Sequence, residues 1–134
     1  MASFATSRRL LVLALLAAGA LAGALLLARG DQPASAAAAK TVRLSADPKG
    51  KLKFNTSKLT ATHGKVTVVM TNPASSGKPH GIAVQGNGID KDGKFASPGG
   101  TSTVTVTLKK GTYNFYCPVD GHKAAGMQGK LVVN

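Results

Sequence analysis

The chain of 134 residues has a single Cys, no Trp, no Glu, and only five Asp against 17 Lys and Arg. One Cys cannot form a disulfide within the chain, and it excludes a zinc or iron–sulfur site built from four thiolates. Three His are too few for a trinuclear copper site, and five Asp without Glu make catalysis by paired carboxylates hard to place. The chain is therefore small and basic, with one thiol whose presence needs a reason.

The N-terminal segment, residues 1–36, has the pattern of an export signal or a membrane anchor. Arg8 and Arg9 precede an uncharged, mostly apolar run over residues 10–28, and a small-x-small pattern allows cleavage after Ala36. As a helix the run would measure about 28 Å, close to the hydrocarbon thickness of a bilayer, so an uncleaved anchor remains open. Because the arginines hold the N-terminus inside, both alternatives place the rest of the chain outside the cytoplasm. We expect it in the periplasm or on the outer face of the cytoplasmic membrane.

After a linker over residues 37–40, the sequence predicts one domain over residues 41–134. This part carries 13 basic and 4 acidic residues, a net charge of +9. Apolar and polar residues alternate, and Gly, Pro, Asn or Asp interrupts them every eight to twelve residues or so. Seven or eight short strands need two facing layers to bury their apolar faces. We therefore expect an all-β protein, a Greek-key β-sandwich, preceded by the apolar export or anchor helix.

Several strands can be placed individually. Residues 103–108 alternate Thr with Val and Leu, as is typical of a half-buried strand, and 113–117 form the next strand after a turn. The connections over 72–79 and 86–100 are rich in turn residues. The other predicted strands are 41–44, 66–71, 79–84 and 130–133.

The most informative segment combines Cys, His and Met. Cys117, His122 and Met127 are spaced five residues apart, in a loop between two predicted strands. Thiolate and thioether are soft ligands that favour Cu(I), whereas imidazole suits both copper oxidation states. One Cys, two His and a distant Met match the electron-transfer copper site with a weak axial Met.

The second imidazole must come from another part of the chain. His80 is in phase with Ile82 and Val84 of the strand predicted over 79–84, so we expect all three side chains to point into the interior. His63 lies in a polar turn before a strand, where a solvated role is the simpler interpretation. We therefore select His80 as the second histidine of the site.

With these residues, and over nearly all of the predicted domain, the chain resembles the cupredoxin family of type 1 (blue) copper proteins. The resemblance is to plastocyanin-like and azurin-like members. The C-x4-H-x4-M spacing is similar to that of auracyanin and rusticyanin. The resemblance implies one type 1 copper per chain, with His80, Cys117 and His122 as equatorial ligands and Met127 as the axial ligand. One position departs from the family pattern. Many members carry Asn directly after the first His, where it ties the two ligand loops together, and this chain has Gly81.

The resemblance and the ligand set indicate a one-electron carrier that cycles between Cu(I) and Cu(II). A site closed by three ligands and a weak fourth leaves no open position for a substrate, so we expect no enzymatic activity. Copper storage, delivery or resistance outside the cell would use the same ligands and remains open as an alternative. A sandwich without metal, with an adhesive or structural role, would leave the Cys–His–Met spacing as a coincidence.

The lysines are dispersed along the chain, and no series of aromatic residues accompanies them, so we expect no nucleic-acid partner. Their charge would instead steer transient acidic redox partners, such as a cytochrome or a respiratory or photosynthetic membrane complex. Membrane anchoring through the leader remains open, and we expect a monomer. The small and apolar residues around His122 predict the patch on which a partner docks.

Overall fold

The computed structural model describes residues 40–134. This part of the chain contains eight strands and one short 3-10 turn. The predicted export or anchor segment, and the linker except for its last residue, lie outside the described residues. Within residues 40–134, no helix has the length and apolar character needed to cross a membrane. The elements in chain order are β1 (Lys40–Ser45), β2 (Lys58–Ala61), β3 (Gly64–Thr71), the 3-10 turn (Ala74–Ser76), β4 (Ala83–Gly86), β5 (Ile89–Asp92), β6 (Thr101–Leu108), β7 (Gly111–Tyr116) and β8 (Gln128–Val133).

The strands form two sheets with the orders β1-β3-β6 and β2-β8-β7-β4-β5. β1 runs parallel to β3 and β2 runs parallel to β8, whereas all other neighbours are antiparallel. Each sheet therefore takes strands from both halves of the described chain. The predicted all-β sandwich is confirmed.

The core lies between the two sheets. Residues of β6 alternate strictly between exposed and buried, because each Thr faces one side of the strand, whereas Ser102 and each Val or Leu face the other. Val104 and Val106 pair with Val68 and Val66 of β3, and all four are buried. From the other sheet, Phe115 is fully buried against Phe54 with 5.6 Å between ring centroids, and burial of such a side chain contributes about 1.5–3 kcal/mol.

Two details differ from the sequence-based expectations. The strand predicted over 79–84 begins only at Ala83, and His80 instead forms an isolated bridge with Ala96. Pro79 has no N–H for a ladder, which is consistent with this late start. The connection predicted over 86–100 contains β5, an edge strand whose sequence, Ile-Asp-Lys-Asp, is too polar to show apolar alternation.

Candidate metal centre

Cys117 directly follows β7 and is fully buried. The strand keeps Tyr113, Phe115 and Cys117 in phase, so the thiol points inward at one end of the sandwich, as predicted. His80 reaches the same place from the segment before β4, and its backbone is fixed there by two hydrogen bonds with Ala96, of 3.1 and 2.7 Å. A fully buried thiol and a fully buried imidazole therefore meet where β4 and β7 lie side by side.

Three donor atoms converge at this point. Cys117 Sγ lies 3.9 Å from His80 Nδ1 and 3.5 Å from His122 Nδ1, and the three atoms all lie within 4.8 Å of one another. The imidazole rings are tilted by 52° with their centroids 5.0 Å apart, so neither ring covers the other. In the described part of the chain this is the one such cluster of potential metal ligands.

Met127 is also buried, and its backbone closes the ligand loop, residues 117–127. The Cys117 N–H donates to the Met127 carbonyl and the Met127 N–H donates to the His122 carbonyl, both at 3.0 Å. Gly121 and Gly126 have φ of 76° and 101°, a conformation that side chains with a Cβ rarely adopt. The loop therefore returns on itself and brings Met127 beside Cys117.

His63, the other histidine, lies away from these residues. It is exposed, and its Nδ1 lies 3.0 Å from the Asn134 carbonyl at the end of the chain. The structure thus brings His80, Cys117 and His122 together and leaves His63 in the polar turn in which the sequence placed it.

Gly81, the position that departs from the family pattern, supports the thiol through its backbone. Its N–H donates to Cys117 Sγ at 3.3 Å. A Cβ at this position would lie 3.1 Å from both Phe95 Cδ1 and Pro118 Cδ, which is tighter than most van der Waals contacts. The hydrogen bond to sulfur therefore does not need an Asn side chain, and the packing leaves little room for one.

Asn72 is a positioning residue whose role the sequence did not reveal. It is fully buried after β3, and its Nδ2 donates to the carbonyls of Lys78 (2.8 Å) and Ala96 (2.9 Å), while its Oδ1 accepts from Ser76 Oγ (2.6 Å). These bonds hold both backbone segments next to His80. In the sequence, an Asn after a strand is typical of an ordinary turn. Only the fold shows that its side chain connects the segments around Lys78 and Ala96.

Burial sets the protonation states of the three donors. Burial lowers the pKa of His80, and the charges of His122 and Lys78 lower it further. The pKa of His122 is lowered by burial and then by Lys78. Burial raises the pKa of the Cys117 thiol, which the backbone N–H groups of Gly81 and Val119 partly oppose. The lowered pKa values favour the neutral imidazoles that metal binding requires, and the thiol would lose its proton on binding a metal.

The donor set fits copper. Two neutral imidazoles, a thiolate and a thioether suit a metal that alternates between a softer and a harder state, and they do not suit Mg²⁺ or Ca²⁺, which take oxygen ligands. His80 Nε2 is buried without a hydrogen-bond partner, whereas Nδ1 of both rings faces the sulfur. Nδ1 is therefore the nitrogen that each histidine offers to a metal.

The comparisons with known proteins agree with this chemistry. The family described as copper binding proteins, plastocyanin/azurin family, matches residues 40–134. No curated protein sequence matches the chain. The chain is similar in structure to auracyanin B, with 23% identity over 72% of this chain and 89% of that one and a TM-score of 0.63.

Two further solved structures share the fold. Auracyanin from the photosynthetic bacterium Roseiflexus castenholzii has 24% identity over 72% of this chain and 98% of its own, with a TM-score of 0.62. Amicyanin from Paracoccus versutus has 21% identity over 73% and 83%, with a TM-score of 0.51. The family match, which covers more than half of the chain, agrees with the converging donors. The chain belongs to the copper-binding plastocyanin/azurin family and is a cupredoxin, with His80, Cys117, His122 and Met127 arranged as a type 1 copper site.

Proposed function

We propose that the protein is a one-electron carrier, with His80, Cys117 and His122 as equatorial copper ligands and Met127 as the weak axial ligand. The observation that supports this most directly is the convergence of two imidazole nitrogens and one sulfur within 4.8 Å of one another. When bound, copper supplies the redox chemistry by alternating between Cu(I) and Cu(II). Four protein donors fill the site and leave no position for a substrate.

The residues around the ligands restrict their movement. His80 is held by its bridge to Ala96 and by the Asn72 hydrogen bonds, and the Gly81 N–H holds the sulfur. A donor set fixed in advance rearranges little when an electron arrives, which favours fast transfer. The same rigidity is not needed for a protein that must release copper.

His122 provides the route for the electron. It is the one partly exposed residue among the four, and exposed Ala124 and Ala125 follow it closely in the chain. Phe95, which is 61% exposed, and Pro118 extend this surface on the Gly81 side. An apolar patch of this kind costs little to desolvate and suits a short-lived redox encounter.

An acidic partner would find positive charge at the edge of this patch. Lys78 is exposed and close enough to affect the pKa of both imidazoles. We expect such lysines to act on the rate of association, so Lys78→Glu should slow the reaction with an acidic cytochrome at low salt and have little effect at high salt. An equal slowing at both salt concentrations would contradict acidic steering.

The decisive experiment is the visible spectrum of the copper-loaded protein. An intense blue band from the thiolate–copper bond is expected in the native protein and in His63→Ala, and it should be absent in Cys117→Ser. A pale native protein, or loss of the band in His63→Ala, would refute the proposed ligand set. Repeated oxidation and reduction should then leave copper bound, whereas loss of copper on each cycle would favour storage or delivery.

We further propose that the domain works outside the cytoplasm, in the periplasm or on the outer face of the membrane. The support is the sequence of residues 1–36, with paired arginines before an apolar run. Cell fractionation tests this directly: the tagged protein should appear in the periplasmic or membrane fraction and should be accessible to external protease in spheroplasts. Protein protected inside spheroplasts would refute export, and mass measurement decides between cleavage and anchoring.

A further inference from the structure

A ring of side-chain contacts joins two residues that are chain neighbours of the ligands and that supply no ligand themselves. Tyr116, directly before Cys117, is buried, and its hydroxyl donates to Asp90 Oδ1 at 2.9 Å, with Asp92 Oδ1 at 3.2 Å. The Gln85 Nε2 donates to the other oxygen of Asp90 at 3.3 Å. These contacts join the residue before one ligand to the hairpin formed by β4 and β5.

Lys123, directly after His122, closes the ring. Its ammonium donates to Gln85 Oε1 at 2.8 Å and lies 3.9 Å from the centre of the Tyr116 ring, within the range of a cation–π contact. A lysine side chain loses much conformational freedom when it is held, so it adopts one position only where several contacts act together. The ring thus connects the residue next to Cys117 with the residue next to His122.

Few side-chain hydrogen bonds fix the loop between these ligands to the sheet: besides the ring, Gln128 Nε2 of β8 donates to the Lys123 carbonyl at 3.3 Å. Residues 124–126 are exposed and have side chains no larger than a methyl group, and Gly121 and Gly126 allow easy turning. The backbone bonds from His122 N–H to the Val119 carbonyl and from Met127 N–H to the His122 carbonyl close the loop on itself. In the described part of the chain, the Lys123–Gln85 bond is the one hydrogen bond from a side chain of residues 118–126 to a strand.

We propose that Lys123 is a positioning residue that, together with Tyr116 and Gln85, clamps the ligand loop to the β4–β5 hairpin and so holds His122 at the copper. The consequence for electron transfer rests on the proposed function. The rigidity of the loop does not rest on the proposed function, because it can be measured in the copper-free protein. The two proposals can therefore fail separately.

The test is amide hydrogen exchange in the copper-free protein, at His122 and Met127, whose N–H groups close the loop. Lys123→Met keeps most of the side-chain length but loses both contacts, and it should speed exchange at these two amides about tenfold. Lys123→Arg, whose guanidinium can make both contacts, should restore slow exchange.

Lys130→Met is the matched control. Lys130 Nζ also donates to a side-chain amide, Asn114 Oδ1 at 2.8 Å, but it joins β7 to β8 away from the loop. This variant should leave exchange at His122 and Met127 unchanged. Unchanged exchange in Lys123→Met would overturn the clamp, as would an equal acceleration in Lys130→Met, which would indicate general loosening.

The copper-loaded protein offers a second readout. If the loop opens about ten times more often in Lys123→Met, removal of copper by a chelator should become about tenfold faster, while the urea midpoint of unfolding changes little. The rate of electron self-exchange should fall, and both rates should return in Lys123→Arg. Chelation at the native rate in Lys123→Met would overturn the role at His122.

Discussion

His80 and His122 bring the same chemical group to the same point from two unlike regions of the molecule. His80 is fully buried and is fixed by backbone hydrogen bonds with Ala96, whose carbonyl also accepts from the Asn72 side chain. His122 is partly exposed in a loop of small residues whose backbone bonds are local. The first region makes the site rigid and the second makes it accessible, which are the two properties that a transient electron carrier needs.

Removal of each imidazole provides the largest test of this comparison. Both His80→Gly and His122→Gly should lose the blue band and lower copper affinity by more than the roughly 100-fold that loss of an outer hydrogen-bond partner can cost. Added imidazole should restore the band in His122→Gly, because that position reaches solvent, and should not restore it in His80→Gly. Visible spectra during an imidazole titration measure this, and equal rescue of both variants would contradict the difference in access.

Asn72→Ala tests the rigid region. It removes a buried side chain that makes three hydrogen bonds and should lower the free energy of unfolding by about 2–3 kcal/mol. Asn55→Ala, which removes one exposed bond to the Ser45 N–H, should cost less than about 1 kcal/mol. Urea unfolding of both variants measures the difference, and similar losses would mean that Asn72 is an ordinary turn residue.

Gly81→Ala tests the packing between the two regions. Its Cβ would lie 3.1 Å from Phe95 and Pro118, so we expect a loss of about 1–2 kcal/mol in unfolding free energy. Adding Phe95→Ala should recover part of this loss, because Phe95 is largely exposed and its removal makes room. Additive effects in the double variant, measured by urea unfolding, would exclude the contact.

The smallest expected effect is on the pH dependence of the copper-free protein. The pKa of His80 and that of His122 are lowered from 6.5, so as pH falls below that value the unfolded chain takes up protons that the folded chain resists. Unfolding free energy should therefore decrease between pH 7 and pH 5. His80→Gln should remove the larger share of this slope, because His80 is the more buried. A slope unchanged in His80→Gln would contradict the assignment.

The two regions also differ in how far the sequence predicts them. Cys117, His122 and Met127 lie within eleven residues of one another, so their spacing alone indicates a common site. His80 was selected by its phase in a strand that begins only after it, and its inward direction comes from the bridge to Ala96. An isolated bridge orients side chains as a strand does, so the His80 imidazole lies beside the Cys117 sulfur as its phase predicts.

Other features depend on contacts between distant segments. The hydrogen bond from Gly81 to sulfur uses a backbone N–H, which every residue except Pro has, so the sequence carries no signal for it. The clamp around Lys123 depends on β5. The charged residues of β5 remove the apolar alternation by which a strand is predicted, but they supply the carboxylates that accept from Tyr116. Local patterns thus predict the ligands and the sandwich, and the contacts that position the ligands require the fold.

The parallel pairing of β1 with β3 also sets how the protein could be attached to a surface. Lys40 lies beside Val66, and Ser45 lies beside Thr71, at the end that leads to Asn72 and the ligands. The strand separates these ends by about 16 Å. β8 likewise runs from Gln128, next to Met127, to Val133 at the opposite end. An electrode linked at Lys40 or at Asn134 would therefore hold the molecules with His122 facing the solution. Direct electron transfer between copper and the electrode would require attachment near Ala124.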